Sequence, residues 1–222
     1  MFLKVGHRGA RAYKIENTLD SFRKAIELGV NAVELDVRQS KDAQMVIIHD
    51  DNLKKVFGKD LPIGKATLAE LKHMTGNRIP SLDEALLLID RRVDKILVEL
   101  KEAGYEKKIL AVIRELKLED RVIIVSFHEE VLAHLRHLDN KIEMGFIYTK
   151  FSNPIDAALK LNAQYLVPLY TFVHTKDIEK AHRNNLKVIV WTINTKEQAR
   201  EYIKKGVDGI ASDKPDIFKG IV

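Results

Sequence analysis

The sequence predicts a (β/α)8 barrel of the TIM type with an extra β-hairpin arm after its second strand, and three observations carry that prediction. Short apolar runs alternate with amphipathic helical stretches along the whole chain, the pattern of a parallel sheet with crossover helices. Eight such runs can be placed, and the 222 residues fit the ~200–250 that a barrel of this kind fills as one domain. A ninth run follows the second too closely for a helical crossover. No proline-, serine- or glutamine-rich stretch interrupts the chain, so residues 1–222 are expected to form a single domain.

The eight barrel strands are expected at residues 2–7, 31–37, 95–100, 121–127, 143–147, 164–168, 187–191 and 207–211. Between them, Thr67 with Glu70, Ser81 with Glu84 and Thr195 with Gln198 have the spacing of capping boxes, and Asn153 precedes Pro154 at a first helical position. The ninth run, residues 45–49, is separated from the second by only residues 40–44. A parallel crossover needs a dozen or more residues, so this connection must be an antiparallel hairpin. With its turn near residues 41–43, the returning arm brings His49 beside the second strand.

Composition narrows the function. The chain has no cysteine, which excludes disulfides, zinc-thiolate sites and a cysteine nucleophile; any metal must sit on oxygen or imidazole. Thirty-seven basic against 32 acidic residues leave a net charge of +5, scattered over helix faces rather than gathered in a stripe. No nucleic-acid partner is expected. The apolar runs at 45–48, 86–89, 122–125 and 188–191 are far below the ~18 residues that span a bilayer, so no stable membrane insertion and a cytoplasmic location are expected.

Period-two alternation then selects the chemistry. On a strand, side chains at i and i+2 share a face. Glu34 and Asp36 therefore point together, as do Glu99 and Lys101, while the apolar Val33, Leu35, Val37, Val98 and Leu100 face the helices. Ionised carboxylates inside a barrel are costly unless they meet cations or a metal. Three oxygen ligands with room for water suit Mg2+ or Ca2+ better than zinc or copper. The competing reading is a structural salt-bridge cluster with Arg8, Lys101 and Arg38.

His7 ends the first strand, within Gly6-His7-Arg8-Gly9, where the glycines permit a tight turn and close approach of a ligand. His49 reaches the same acids by way of the hairpin. Two histidines can fill the general-acid and general-base roles of phosphodiester cleavage. Arg8, through a bidentate fork, and Lys101, as a point charge, are candidate phosphate binders. Trp191, the only tryptophan, either lines the pocket or plugs the barrel. His128 is expected at a helix cap or in solvent, and His134, His137, His174 and His182 at the surface.

From His7 to Pro215 the chain resembles the glycerophosphodiester phosphodiesterase family. The resemblance rests on His7-Arg8-Gly9, Glu16-Asn17-Thr18, Glu34-Leu35-Asp36, His49-Asp50, Glu99-Leu100-Lys101, Trp191-Thr192-Ile193-Asn194 and the segment from Val207 to Pro215. It implies hydrolysis of glycerophosphodiesters to an alcohol and sn-glycerol 3-phosphate. It also implies a divalent metal on Glu34, Asp36 and Glu99, and His7 and His49 as the catalytic pair, with His7 as base and His49 as acid. Two departures stand out: Ile15 replaces the usual proline before Glu16, and the stretch after Asp50 lacks the arginine-threonine found in many relatives. A lysophospholipase D or phospholipase C type activity is the related alternative, and a non-catalytic barrel that binds phosphorylated metabolites the alternative from another class. A degenerate member should lack a histidine or a ligand, and all five are present. No serine lies in a nucleophile-elbow motif, which leaves a metal-activated water or the substrate's own glycerol 2-hydroxyl as nucleophile.

Overall fold

A computed structural model describes residues 1–221. The barrel strands are β1 (Leu3–Gly6), β2 (Ala32–Gln39), β4 (Lys95–Leu100), β5 (Val122–Ser126), β6 (Glu143–Tyr148), β7 (Tyr165–Pro168), β8 (Lys187–Val190) and β9 (Gly209–Ser212), with β3 (Met45–Ile47) set apart from them. All neighbouring pairs among the eight are parallel, and β1 closes the ring by pairing with both β2 and β9. β3 lies outside, antiparallel on the far end of β2, with Val37 opposite Ile47 and Gln39 opposite Met45. The hairpin expected from the short spacing is therefore present.

Helices α1 (Leu19–Glu27), α5 (Glu106–Glu115), α6 (Glu129–Leu138), α7 (Pro154–Lys160), α8 (Thr175–Arg183) and α9 (Lys196–Lys205) each follow one barrel strand. The connection from β2 to β4 is longer and holds β3, α2 (Lys54–Phe57), α3 (Leu68–Thr75) and α4 (Leu82–Ile89). Two of the expected capping boxes are complete, at Thr67 with Glu70 and Ser81 with Glu84. Thr195 accepts from the Gln198 backbone N–H, but it makes only that half of the motif. The last strand starts two residues later than expected. Gly206, at φ 93°, ends α9, and the Val207 N–H turns back to the Tyr202 carbonyl, which ties Val207 to the helix exit.

Two apolar layers follow from the alternation along the strands. Outward residues such as Val33, Leu35, Val37, Val98 and Leu100 join the helices in one large core. Inward residues, among them Val5, Ala32, Leu97, Ile123, Val125 and Ile189, fill the barrel in a second. On β2 the inward face passes from Ala32 to Glu34 and Asp36, and on β4 from Leu97 to Glu99, so the interior turns from apolar to acidic within two residues along each strand. A third, small core of Val46, Ile48, Leu53, Ile63, Ala66, Leu71 and Ile79 lies under the long β2–β4 connection.

The glycines around His7 have a packing role. A Cβ on Gly9, whose φ is +81°, would meet Ser21 Oγ at 2.4 Å, and one on Gly6 would meet Ala25 Cβ at 2.9 Å. Both contacts are with α1, which the first strand's turn must clasp closely.

Candidate active site

The parallel register of β2 and β4 sets Asp36 directly beside Glu99, with Glu34 one pleat below. One oxygen from each of the three lies within 4.8 Å of the others, and this is the group among the described residues with the geometry for a metal ion. Asn17 orients Asp36 at two points, its Nδ2 donating to Oδ2 (2.7 Å) and its Oδ1 accepting the Asp36 N–H (3.2 Å). The Arg8 backbone N–H donates to Glu34 Oε2 (2.7 Å). Glu34 Oε1 and Asp36 Oδ1 are buried without a hydrogen-bond partner. Orphaned, converging carboxylate oxygens fit a hard divalent cation, and the absence of sulfur and imidazole from the set disfavours softer metals.

The charges are unequal. Burial, reinforced by the charges of Asp36 and Glu99, drives the Glu34 carboxyl well above the usual range. Burial and the charge of Asp36 raise Glu99 to about 8. Burial opposes ionisation of Asp36 too, but Arg8 and Lys101 prevail and hold it at about 2.

The two histidines come from different elements, and each is gripped in the same way. His7 directly follows β1, and its Nδ1 lies 2.7 Å from Asp213 Oδ1, just past β9. His49 returns on the hairpin arm with its Nδ1 2.7 Å from Asp50 Oδ1 and its carbonyl accepting from Arg38 Nε (2.8 Å). An imidazole anchored to a carboxylate through Nδ1 has its tautomer and ring plane set, leaving Nε2 for proton transfer. Burial pushes the His49 imidazole below its ordinary value, against the pull of Asp36. Burial likewise works against ionised Asp213, but its bond to His7 outweighs that and keeps the carboxyl low.

Both histidines, Arg8, Glu34, Glu99, Lys101 and Trp191 line one cavity of about 110 Å3. The expected site residues are thus brought together. Asp36 lies fully buried behind them and reaches Lys101 Nζ at 3.5 Å. Lys101 Nζ is 2.5 Å from Glu99 Oε1 and sits over the Phe127 ring. The Arg8 guanidinium is turned toward carboxylates, with one terminal nitrogen 2.7 Å from Glu16 and Nε 3.2 Å from Asp36. Trp191 does both things that its position allows. It packs against the barrel-interior layer while its indole N–H donates to the Val167 carbonyl (2.9 Å) and its ring stands perpendicular to that of Phe127 in the cavity wall, the centroids 5.7 Å apart.

Asp50, Asp213, Asn17 and Phe127 were not singled out by residue chemistry. Asp50 adjoins His49, a local signal; Asp213 is 206 positions from its histidine, and only closure of the barrel joins them. His128 occupies the N-cap position of α6, without a side-chain cap bond, and His134, His137, His174 and His182 are exposed. Among the described residues no helix is long and apolar enough to cross a membrane.

The family model for the glycerophosphoryl diester phosphodiesterase family matches residues 7–217. The chain belongs to this family of phosphoric diester hydrolases. Its relatives include the glycerophosphodiester phosphodiesterase of Caldanaerobacter subterraneus subsp. tengcongensis, 32% identical over 99% of this chain and 97% of the relative. The glycerophosphodiester phosphodiesterase of Thermotoga maritima has a crystal structure that matches with a TM-score of 0.83 at 31% identity, covering 98% of this chain and 97% of the other. An Oleispira antarctica phosphodiesterase, solved in complex with the product sn-glycerol-3-phosphate, matches with a TM-score of 0.86 at 28% identity over 96% and 93% of the two chains.

Proposed function

We propose that residues 1–222 form one catalytic domain that hydrolyses glycerophosphodiesters to an alcohol and sn-glycerol 3-phosphate. In this reading Glu34, Asp36 and Glu99 hold Mg2+ or Ca2+, and His7 and His49 act as general base and general acid. The observation that carries it is the pair of histidines, each anchored at Nδ1 by its own carboxylate, facing one cavity with three converging acids. The family's relatives and the product held by the Oleispira antarctica neighbour support the substrate class.

A bound cation supplies charge stabilisation to the phosphoryl oxygens. The chain's own groups do the rest. Lys101 and the Arg8 guanidinium add positive charge at the cavity wall. His7, held by Asp213, removes the proton of the attacking hydroxyl, and His49 donates a proton to the departing alkoxide. A depressed pKa makes protonated His49 the stronger acid, and the negative charge of an incoming phosphodiester offsets the smaller protonated fraction. We favour the glycerol 2-hydroxyl as nucleophile because an internal group has a large effective-molarity advantage over water. Attack would release the alcohol and form a cyclic phosphate, which water then opens with the histidine roles exchanged.

The test is turnover of glycerophosphocholine, glycerophosphoinositol, a lysophospholipid and single-stranded DNA by purified protein with and without chelator. Hydrolysis of the first two, abolished by chelation and restored by Mg2+ or Ca2+, is expected. Full activity in metal-free protein would reject the cation, and a 2-deoxy substrate cleaved at a normal rate would reject the internal nucleophile.

A further inference from the structure

Glu16 sits at a junction of charges. Its side chain is 10% exposed, and both its oxygens are engaged, Oε1 by a terminal nitrogen of Arg8 at 2.7 Å and Oε2 by Arg11 Nε at 2.6 Å. The bond to Glu16 is the side-chain hydrogen bond that Arg8 makes. Arg8 Nε lies 3.2 Å from Asp36 Oδ2, yet this buried nitrogen makes no hydrogen bond. A guanidinium this close to a buried carboxylate would ordinarily turn its fork onto it and engage both oxygens. Here it does not, because Glu16 holds the fork at its other edge. The next residue, Asn17, grips Asp36 Oδ2 from the opposite side at 2.7 Å. Consecutive residues thus keep the Arg8–Asp36 ion pair to a single point of approach, Nε to Oδ2, where a two-point fork would otherwise form.

We propose that Glu16 is a positioning residue for the cation site: it restricts Arg8 to a single approach on Asp36 Oδ2 and so keeps the guanidinium off Asp36 Oδ1, the oxygen that faces the cation. The proposal rests on Glu34, Asp36 and Glu99 being the ligands. Asp36 Oδ1 is buried without a hydrogen bond, its nearest cation being Lys101 Nζ at 3.5 Å, and a bidentate Arg8 would add a second cation to it and consume it. Arg11 steadies Glu16 from outside, and its own NH1 is 3.8 Å from Asp213 Oδ1, so the same carboxylate also borders the support of His7.

The test is a calorimetric titration of the full chain with Ca2+ and Mg2+ in a four-variant cycle: wild type, Glu16→Ala, Arg8→Met and the double variant. Glu16→Ala is expected to weaken cation binding by about tenfold or more, as loss of a group supporting a ligand typically does. In the Arg8→Met background the same change should cost less than about twofold, since no guanidinium remains to collapse onto Asp36. A merely structural Glu16 would weaken binding equally in both backgrounds. That result, or unchanged affinity on the wild-type background, overturns the proposal. If Glu16→Ala does not fold, Glu16→Gln replaces it: one acceptor for Arg8 remains, so a smaller loss that again vanishes with Arg8→Met is expected, and a loss independent of Arg8 overturns the idea. Wild-type protein that binds neither cation would reject the ligand assignment itself and this proposal with it.

Discussion

At the bottom of the barrel, where the strands begin, Lys95 Nζ meets Glu143 Oε2 at 2.5 Å and the Asp120 carbonyl at 2.8 Å, and Tyr165 donates to Glu143 Oε1. Asn31 there accepts from the Lys4 N–H and donates to the Phe2 carbonyl, and Asp208 accepts from the Val188 N–H and faces His182. At the top, where the same strands end, Glu34 Oε1, Asp36 Oδ1, Arg8 Nε and Asp50 Oδ2 are buried without partners. Both ends contain lysine, acid and histidine. They differ in degree: the polar groups at the bottom are hydrogen-bonded to one another apart from Arg136 Nε, whereas several at the top lack hydrogen bonds and border the cavity. Incomplete pairing at strand C-terminal ends marks chemistry more reliably than the presence of charge.

The largest effect that would break this contrast concerns the histidines. His7→Ala and His49→Ala should each lower kcat by about 10²- to 10⁴-fold, with the double variant little worse than the poorer single, while His182→Ala at the bottom should stay within about twofold of wild type. Steady-state assays on glycerophosphocholine decide it, and comparable losses at both ends would erase the distinction. Next come the acids. Glu99→Gln should weaken cation binding by about 10- to 100-fold in a calorimetric titration with little change in urea midpoint. Glu143→Gln should do the reverse, costing about 1 kcal/mol of stability and leaving cation affinity unaltered.

Two pH effects sharpen the comparison further. Glu99 is raised to about 8, so it retains a proton near neutrality in the cation-free protein and a cation must displace it. Apparent affinity should therefore rise with pH, by up to about tenfold per unit for one displaced proton, and level off above about pH 8. Titrations in buffers of different ionisation enthalpy would detect the released protons, and a flat profile between pH 6 and 8 would contradict the assignment. The smallest effect belongs to His49, whose depressed pKa should place the alkaline limb of kcat/KM below the ordinary histidine value of 6.5. The limb of kcat should lie higher, because bound phosphodiester charge favours the protonated ring. Coincident limbs would mean that substrate does not reach His49.

What was legible in the sequence was whatever depends on local geometry. The shared face of Glu34 and Asp36, the inward Glu99 and the return of His49 all follow from period two and a short turn. The supports were not legible, since they depend on closure and on choices among competing partners. Nothing near His7 announces Asp213, and nothing in Arg8 says that its fork will be taken by Glu16. The glycines were legible as a tight turn, but their purpose, contact with Ser21 and Ala25 of α1, is tertiary.

The small core under the β2–β4 connection has an implication for durability. Val46 and Ile48 of the hairpin arm belong to that core, next to His49, and the arm lies outside the closed ring. A patch of structure with its own apolar interior can detach as a cooperative unit at lower cost than the ring can open. Because Met45 and Ile47 of the same arm are buried in the main core, the loop beyond His49 is the part free to loosen first, and warming is expected to lower turnover before the strands unpair.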